Sequence, residues 1–176
     1  MLMPEPGKGL EIGVGSGLFA APLGIRIGVD PSIAMAERAK KRDITVIKGV
    51  AEALPFQDHE FDTALMVTTV CFLDDIDLAF QEAYRVLKPG GAFIIGFIDR
   101  NSPIGKAYEQ RKNESLFYKN ATLYTVDDLL VHLKQAGFSR FSFNQTLFGP
   151  VDEMHQPDPI KKGSGEGSFV VIKAEG

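Results

Sequence analysis

Chemistry-bearing residues cluster near the start of the chain at fixed spacing: Glu11, Gly13, Gly15, Gly17 and Asp30. The run reads Glu11-Ile12-Gly13-Val14-Gly15-Ser16-Gly17, and Gly28-Val29-Asp30 places an acid 17 residues after Gly13. Glycines without a Cβ let the chain turn tightly and let a ligand touch bare backbone. A carboxylate at the end of the next strand can accept the ribose hydroxyls of an adenosine. Each feature has a plainer alternative: a ligand-free turn between strand and helix, and for Asp30 a helix cap ahead of Pro31 and Ser32. Together they point to an adenosine-containing cofactor.

The charge at Glu11 separates the cofactors. A dinucleotide site uses G-x-G-x-x-G and sets a pyrophosphate on a helix N-terminus. Here the spacing is G-x-G-x-G, and an acid lies two residues before the first glycine. An acid aimed into the site repels a pyrophosphate and suits a ligand with an ammonium and a sulfonium, which is S-adenosylmethionine (SAM). A nicotinamide-dependent oxidoreductase of the same broad fold is the competing reading.

These residues need elements to hold them. Short apolar runs at Gly9–Ile12, Ile25–Val29, Thr45–Ile47, Phe61–Val67 and Ala92–Ile98 read as strands of a parallel sheet. Between them, Ser32–Lys41 reads as a helix with Pro31 in its first turn, and Asp75–Leu87 as a helix with one apolar face. The glycine cluster is expected to open a helix whose N–H groups point at the ligand. Thr125 with Asp128 resembles a capping box, ahead of a buried face of Val126, Leu129, Leu130 and Leu133, and Gly137 is a C-terminal stop. Phe138–Phe148 and Ser168–Lys173 have no helix pattern between them, so they must pair antiparallel.

Composition sets the outer bounds. A chain of 176 residues is one domain's worth, and a single cysteine, Cys71, excludes an intramolecular disulfide and a cysteine-only zinc site. The net charge of −4 lacks the electrostatic footprint of a nucleic-acid binder. Its basic runs are short, among them Lys40-Lys41-Arg42, which suits a helix C-terminus, and Lys161-Lys162. The start carries no apolar segment of signal-peptide length, and the apolar runs fall far short of the ~18 residues that span a bilayer. The chain reads as a cytoplasmic protein with no membrane insertion, and no metal is expected.

GLEIGVGSG, GVDPS, GVAEALPF, FDTAL and LKPGGAFIIGF, in that order over about residues 8–98, resemble the motifs of the class I SAM-dependent methyltransferases. They are most similar to the type 11 branch, which includes the ubiquinone and menaquinone methyltransferases. The resemblance implies an α/β, Rossmann-like three-layer sandwich. Its seven-stranded, mostly parallel sheet has the order 3-2-1-4-5-7-6 and an antiparallel C-terminal hairpin. It implies a single domain over 1–176, with SAM as cofactor, S-adenosylhomocysteine as product and a small-molecule methyl acceptor. A non-catalytic module that binds SAM or its product is the alternative of a different class.

Carried over by position, the resemblance places Glu11 near the methionyl amino group and has Gly13 and Gly15 line the methionine. It gives Asp30 the ribose, lays Pro31 on the adenine, rims the adenine with Ala51 and Glu52, and passes Val67 close to the sulfonium. Leu54 would fix its loop. The chain departs from the family in three places. Val50 stands where an Asp usually meets the adenine. Val67, Cys71 and Phe72 replace the usual polar residues after the fourth strand. Only eight residues precede Gly9, where relatives carry a helical cover, so segments 100–124 and 149–167 are expected to cover the site.

Methyl transfer from a sulfonium depends mainly on alignment, and a base is needed only if the acceptor must lose a proton. No catalytic residue is therefore assigned. Thr68, Asp99 and His155 are the substrate-side candidates, each with a bland alternative as a strand end, a turn residue and a solvated loop residue. Thr69 shares the alternatives of Thr68. Tyr108, Phe117, Tyr118 and Tyr124 either line an acceptor pocket or pack their segment. Cys71 reads as a buried apolar residue, and His59 and His132 as surface positions.

Overall fold

Continuous apolar runs become the middle of a sheet, and amphipathic runs become the helices that cover it. The structure, a computed structural model, describes residues 7–112, 119–150 and 156–176. The strands are β1 (Gly9–Ile12), β2 (Ile27–Asp30), β3 (Thr45–Lys48), β4 (Phe61–Val67), β5 (Leu87–Ile98), β6 (Arg140–Thr146), β7 (Lys161–Lys162) and β8 (Phe169–Glu175). The helices are α1 (Ile33–Lys40), α2 (Ile76–Val86), α3 (Pro103–Arg111) and α4 (Val126–Ala136).

The strands form one sheet in the order β3-β2-β1-β4-β5-β8-β6-β7. The first five run parallel, and β8 lies antiparallel to both β5 and β6. Without β7 this is the expected seven-stranded order. The additional strand, β7, is a pair of lysines laid against Asn144 and Gln145 at the sheet edge.

Local chemistry fixes the helix ends. Ser32 caps α1 by accepting the Met35 N–H at 3.3 Å, and Asp75 caps α2 by accepting the Leu78 N–H at 3.0 Å. Pro31 thus precedes the cap of α1 and is not in its first turn. Thr125 and Asp128 form the reciprocal capping box of α4, and Gly137 ends that helix in the left-handed region at φ 113°. In α2 the buried face is Ile76, Ala79, Phe80, Ala83 and Val86. In α4 only Leu129 and Leu133 are fully buried; Val126 and Leu130 are half-buried.

The core has two parts. Under α2 and α4, Phe80 meets Phe93 edge to face at 5.4 Å, among Phe61, Ile95, Leu129 and Leu133. A smaller cluster, including Val14, Ala20, Ile44, Leu65 and Ile94, joins α1 and the glycine loop to the sheet.

Two expectations need correction. The glycine cluster opens no α-helix: residues 13–26 turn irregularly and contain only a 3₁₀ turn, Ala21–Leu23. Pro22 has no N–H to continue a helical ladder, and Gly24 at φ 73° ends the turn. The strand expected at Ala92–Ile98 starts earlier, at Leu87: Lys88-Pro89-Gly90-Gly91 lies within β5 as an irregular stretch where Phe61 pairs with Leu87 and Thr63 with Ala92.

Candidate active site

A cavity of about 780 Å³ opens at the carboxyl ends of β1, β2, β4 and β5. This is where open α/β sheets place their ligands, and the volume suits a small-molecule site of roughly 300–1,000 Å³. Its lining changes character from one side to the other.

One side is the glycine loop. Gly13 and Val14 both donate their N–H to the Val29 carbonyl, at 2.8 and 3.0 Å, and Gly15 donates to Asp30 Oδ2 at 2.8 Å. These amides are therefore engaged with β2. Contrary to the expectation from sequence, they do not point at a ligand. A loop that has turned its donors inward is poor for a pyrophosphate, which weakens the dinucleotide reading. Gly13 and Gly15 line the cavity at φ 72° and 50°, and nothing lies within 4 Å of where a Gly15 Cβ would be.

Asp30 ends β2 with its carboxylate in the same cavity, and its Oδ1 accepts the Ser32 N–H at 2.8 Å. Each carboxylate oxygen accepts more than one hydrogen bond, so both retain capacity for a hydroxyl. Glu11 lies deeper, fully buried, and neither of its oxygens has a hydrogen-bond partner. Burial pushes its pKa up to about 8, and the charge of Asp30 acts in the same direction. The Ala20 amide pulls it down, from a position outside hydrogen-bonding geometry.

The other side is made of side chains from β4, β5 and α3 and from the turns after them. Val67 ends β4, and Thr68 follows in the left-handed region at φ 54°, its N–H donating to Gly96 O at 2.8 Å. Phe72, Phe97, Tyr108 and Tyr124 give this side its aromatic surface. Cys71 also lines it; its thiol donates to Thr68 O at 3.5 Å, and burial pushes its pKa up to about 11. Burial likewise raises the pKa of Tyr124, with the charge of Asp128 next in effect.

Residues 10–95 match the model of a methyltransferase domain. A crystal structure of a SAM-dependent methyltransferase from Thermotoga maritima, described as a possible histamine N-methyltransferase, is 53% identical. It superposes with a TM-score of 0.96 over 98% of this chain and 83% of that one. This chain belongs to the class I SAM-dependent methyltransferases, type 11. An uncharacterized protein of Methanocaldococcus jannaschii is 47% identical across 96% of this chain and 82% of its own length. The ubiquinone/menaquinone biosynthesis C-methyltransferase of Bartonella tribocorum is 32% identical over 68% of this chain and 54% of its own.

The cofactor of this methyltransferase is SAM, and the residues present fit it. Glu11 is a buried carboxyl without a hydrogen-bond partner, the Gly13, Val14 and Gly15 amides are engaged with β2, and Gly15 leaves open space where a side chain would stand.

The structure brings Gly13, Gly15, Asp30, Val67 and Thr68 together in the methyltransferase cavity, while Glu11, Pro31, Ala51, Glu52 and Asp99 lie outside its lining. Glu52 Oε1 accepts the Asp74 and Asp75 N–H groups at 2.9 and 3.3 Å, at the start of α2. Asp99 uses its two oxygens on the Asn101 and Val126 N–H groups at 2.7 and 3.1 Å, which is the turn role. His155, Phe117 and Tyr118 lie outside the described residues. His59 is exposed with Nδ1 2.9 Å from Leu87 O, whereas His132 is half-buried with Nδ1 2.7 Å from Asp77 Oδ1 of α2. Among the described residues, no helix is long and apolar enough to cross a membrane.

Sequence reasoning missed Met35 and Ser32 on the Asp30 side and Leu18 and Phe19 on the loop. Met35 and Ser32 follow the strand-end acid within one helical turn, which was a usable signal. Leu18 and Phe19 had none, because the expected helix would have hidden an apolar pair in the core. Instead they stand 60% and 43% exposed.

Proposed function

We propose that this chain transfers the methyl group of SAM to a small, largely apolar acceptor held on the aromatic side of the same cavity. The observation that carries this reading is continuity: one cavity is lined both by the glycine loop with Asp30 and by Phe72, Phe97, Tyr108 and Tyr124. A donor and an acceptor placed there are neighbours, with Val67 and Thr68 between them.

When bound, SAM supplies a methyl already activated on a sulfonium. The protein then has to bind, orient and exclude water. Glu11 answers the ammonium, Asp30 accepts ribose hydroxyls, and Gly13 and Gly15 allow close approach. Pro31, Ala51 and Glu52 are assigned to the adenine end on the resemblance alone. Val67 and Thr68 line the cavity between the two sides and would hold donor and acceptor in alignment, from which most of the rate would come. Cys71 stays a neutral thiol far above neutral pH and is no nucleophile. Segment 100–124 is assigned to cover, since Tyr108, Leu123 and Tyr124 reach the cavity; no described residue of 149–167 lines it, and residues 113–118 and 151–155 lie outside the described residues. The whole chain acts as a single cytoplasmic domain without nucleic acid.

The test is transfer of labelled methyl from SAM to a panel of small acceptors. The panel includes histamine, because of the Thermotoga relative, with azoles, aromatic amines, thiols and phenols. Label in a small molecule is the expected result. Binding of S-adenosylhomocysteine without label in any acceptor would favour a non-catalytic module.

A further inference from the structure

Thr68 is strained, and the strain has a visible consequence. A β-branched residue in the left-handed region is an outlier that surrounding structure must enforce. Thr68 holds φ 54° while its N–H still pairs with Gly96 O at 2.8 Å, so β4 stays registered on β5 up to the residue that turns away. The turn delivers Thr69 to the glycine loop. Thr69 Oγ1 lies 3.2 Å from Gly13 O and 3.2 Å from Val67 O, so one hydroxyl proton bridges the end of β4 to the first glycine of the loop. The fit is close: a Cβ on Gly13 would stand 2.3 Å from Thr69 Cγ2 and 2.4 Å from its Oγ1.

Gly13 is therefore held through both of its backbone groups. Its N–H donates to Val29 O at 2.8 Å, and its carbonyl accepts from Thr69. A carbonyl oxygen has two lone pairs, so one remains. In a cavity whose neighbouring loop amides point away, a carbonyl held in place suits a cation with N–H donors, and SAM carries one in its ammonium.

We propose that Thr69 is a positioning residue for the methionyl end of the cofactor: its hydroxyl holds the Gly13 carbonyl where the cofactor's ammonium binds. The hydroxyl acts through Gly13 and does not touch the transferring methyl. The proposal rests on SAM as the cofactor and is independent of the acceptor. It explains why a glycine and a threonine from two separate strand ends meet without a gap.

Two ligands separate this role from simple packing. S-adenosylhomocysteine carries the amino-acid end, and 5′-methylthioadenosine has the same adenosine and sulfur without it. Calorimetric titration of both is run on the wild-type chain and on Thr69→Val, Thr69→Ala and Thr69→Ser. Thr69→Val keeps the shape and removes the hydroxyl. It is expected to weaken S-adenosylhomocysteine by about 3- to 10-fold, the worth of one hydrogen bond, and to leave methylthioadenosine unchanged, while Thr69→Ser keeps wild-type affinity for both. If Thr69→Val fails to fold, Thr69→Ala against Thr69→Ser gives the same contrast. Equal losses for both ligands, or no loss for either, would overturn the proposal. A wild-type chain that binds neither ligand would overturn the cofactor assignment, and this proposal with it.

Discussion

The two sides of the cavity are built by different means. The side assigned to the cofactor is a short continuous stretch, Glu11 to Asp30, which offers backbone conformation and two acids. The side assigned to the acceptor draws single side chains from β4, β5, α3 and the turn before α4, and works through aromatic surface. A cofactor that never changes can be met by a fixed local motif. An acceptor that differs between relatives is met by positions scattered along the chain, where one substitution can reshape the pocket and leave the fold alone. This division yields a set of expected effects, each confined to one side.

The largest belongs to Gly13. A side chain there collides with Thr69 and sits at a φ of 72° that only glycine adopts freely. Gly13→Val is expected to cost about 2–3 kcal/mol of stability and to abolish S-adenosylhomocysteine binding, read by thermal melting and calorimetry. Near-normal melting with intact binding would show that the loop is not fixed as described. Asp30→Ala comes next, with an expected loss of about 1–3 kcal/mol in cofactor affinity. Unchanged affinity would reduce Asp30 to a brace for Gly15 and Ser32.

Glu11 sharpens the same side through pH. Its folded pKa of about 8 lies above the ordinary 4.5. The linked stability is fully present below 4.5 and is lost as pH rises through 8. Ligand-free protein should lose melting temperature over that window, and Glu11→Gln should flatten the slope. An ammonium beside Glu11 favours the carboxylate, so S-adenosylhomocysteine binding near neutral pH should release protons, read as buffer-dependent heats. Equal heats in every buffer would argue against that pairing. The smallest effect tests the other side: Tyr108→Ala, at a 37%-exposed position, should raise the KM of an acceptor by a few-fold and leave cofactor affinity unchanged. A change in cofactor affinity would blur the division.

The same contrast explains what could be read from the chain. Phe61–Val67 is legible end to end because a strand covered on both faces is continuously apolar. Asp75, Thr125 with Asp128, and Gly137 announce helix ends because caps are local chemistry. The strand order followed from the ordered motifs, and the antiparallel close from the lack of a helix pattern between Phe138–Phe148 and Ser168–Lys173. The helix expected after the glycine cluster failed because Pro22 and Gly24, both visible, weigh more than the usual sequel of such a loop. The roles of Glu52 and Asp99 were not legible. A carboxylate that completes a turn or a distant helix start looks the same in sequence as one that faces a ligand. Tyr108 and Tyr124 stand out as aromatics, but their convergence with Phe72 and Phe97 depends on contacts far apart in sequence.

In the proposed arrangement one cavity holds the donor on the glycine-loop side with its sulfur directed at the aromatic side. A crystal structure with S-adenosylhomocysteine decides this by the position of the sulfur. The sulfur is expected beside Val67 and Thr68, facing Phe97 and Tyr124, with the ammonium at Glu11 and the Gly13 carbonyl and the ribose on Asp30. A ligand with its sulfur turned to bulk solvent, or with its amino-acid end away from Glu11 and Gly13, would contradict it.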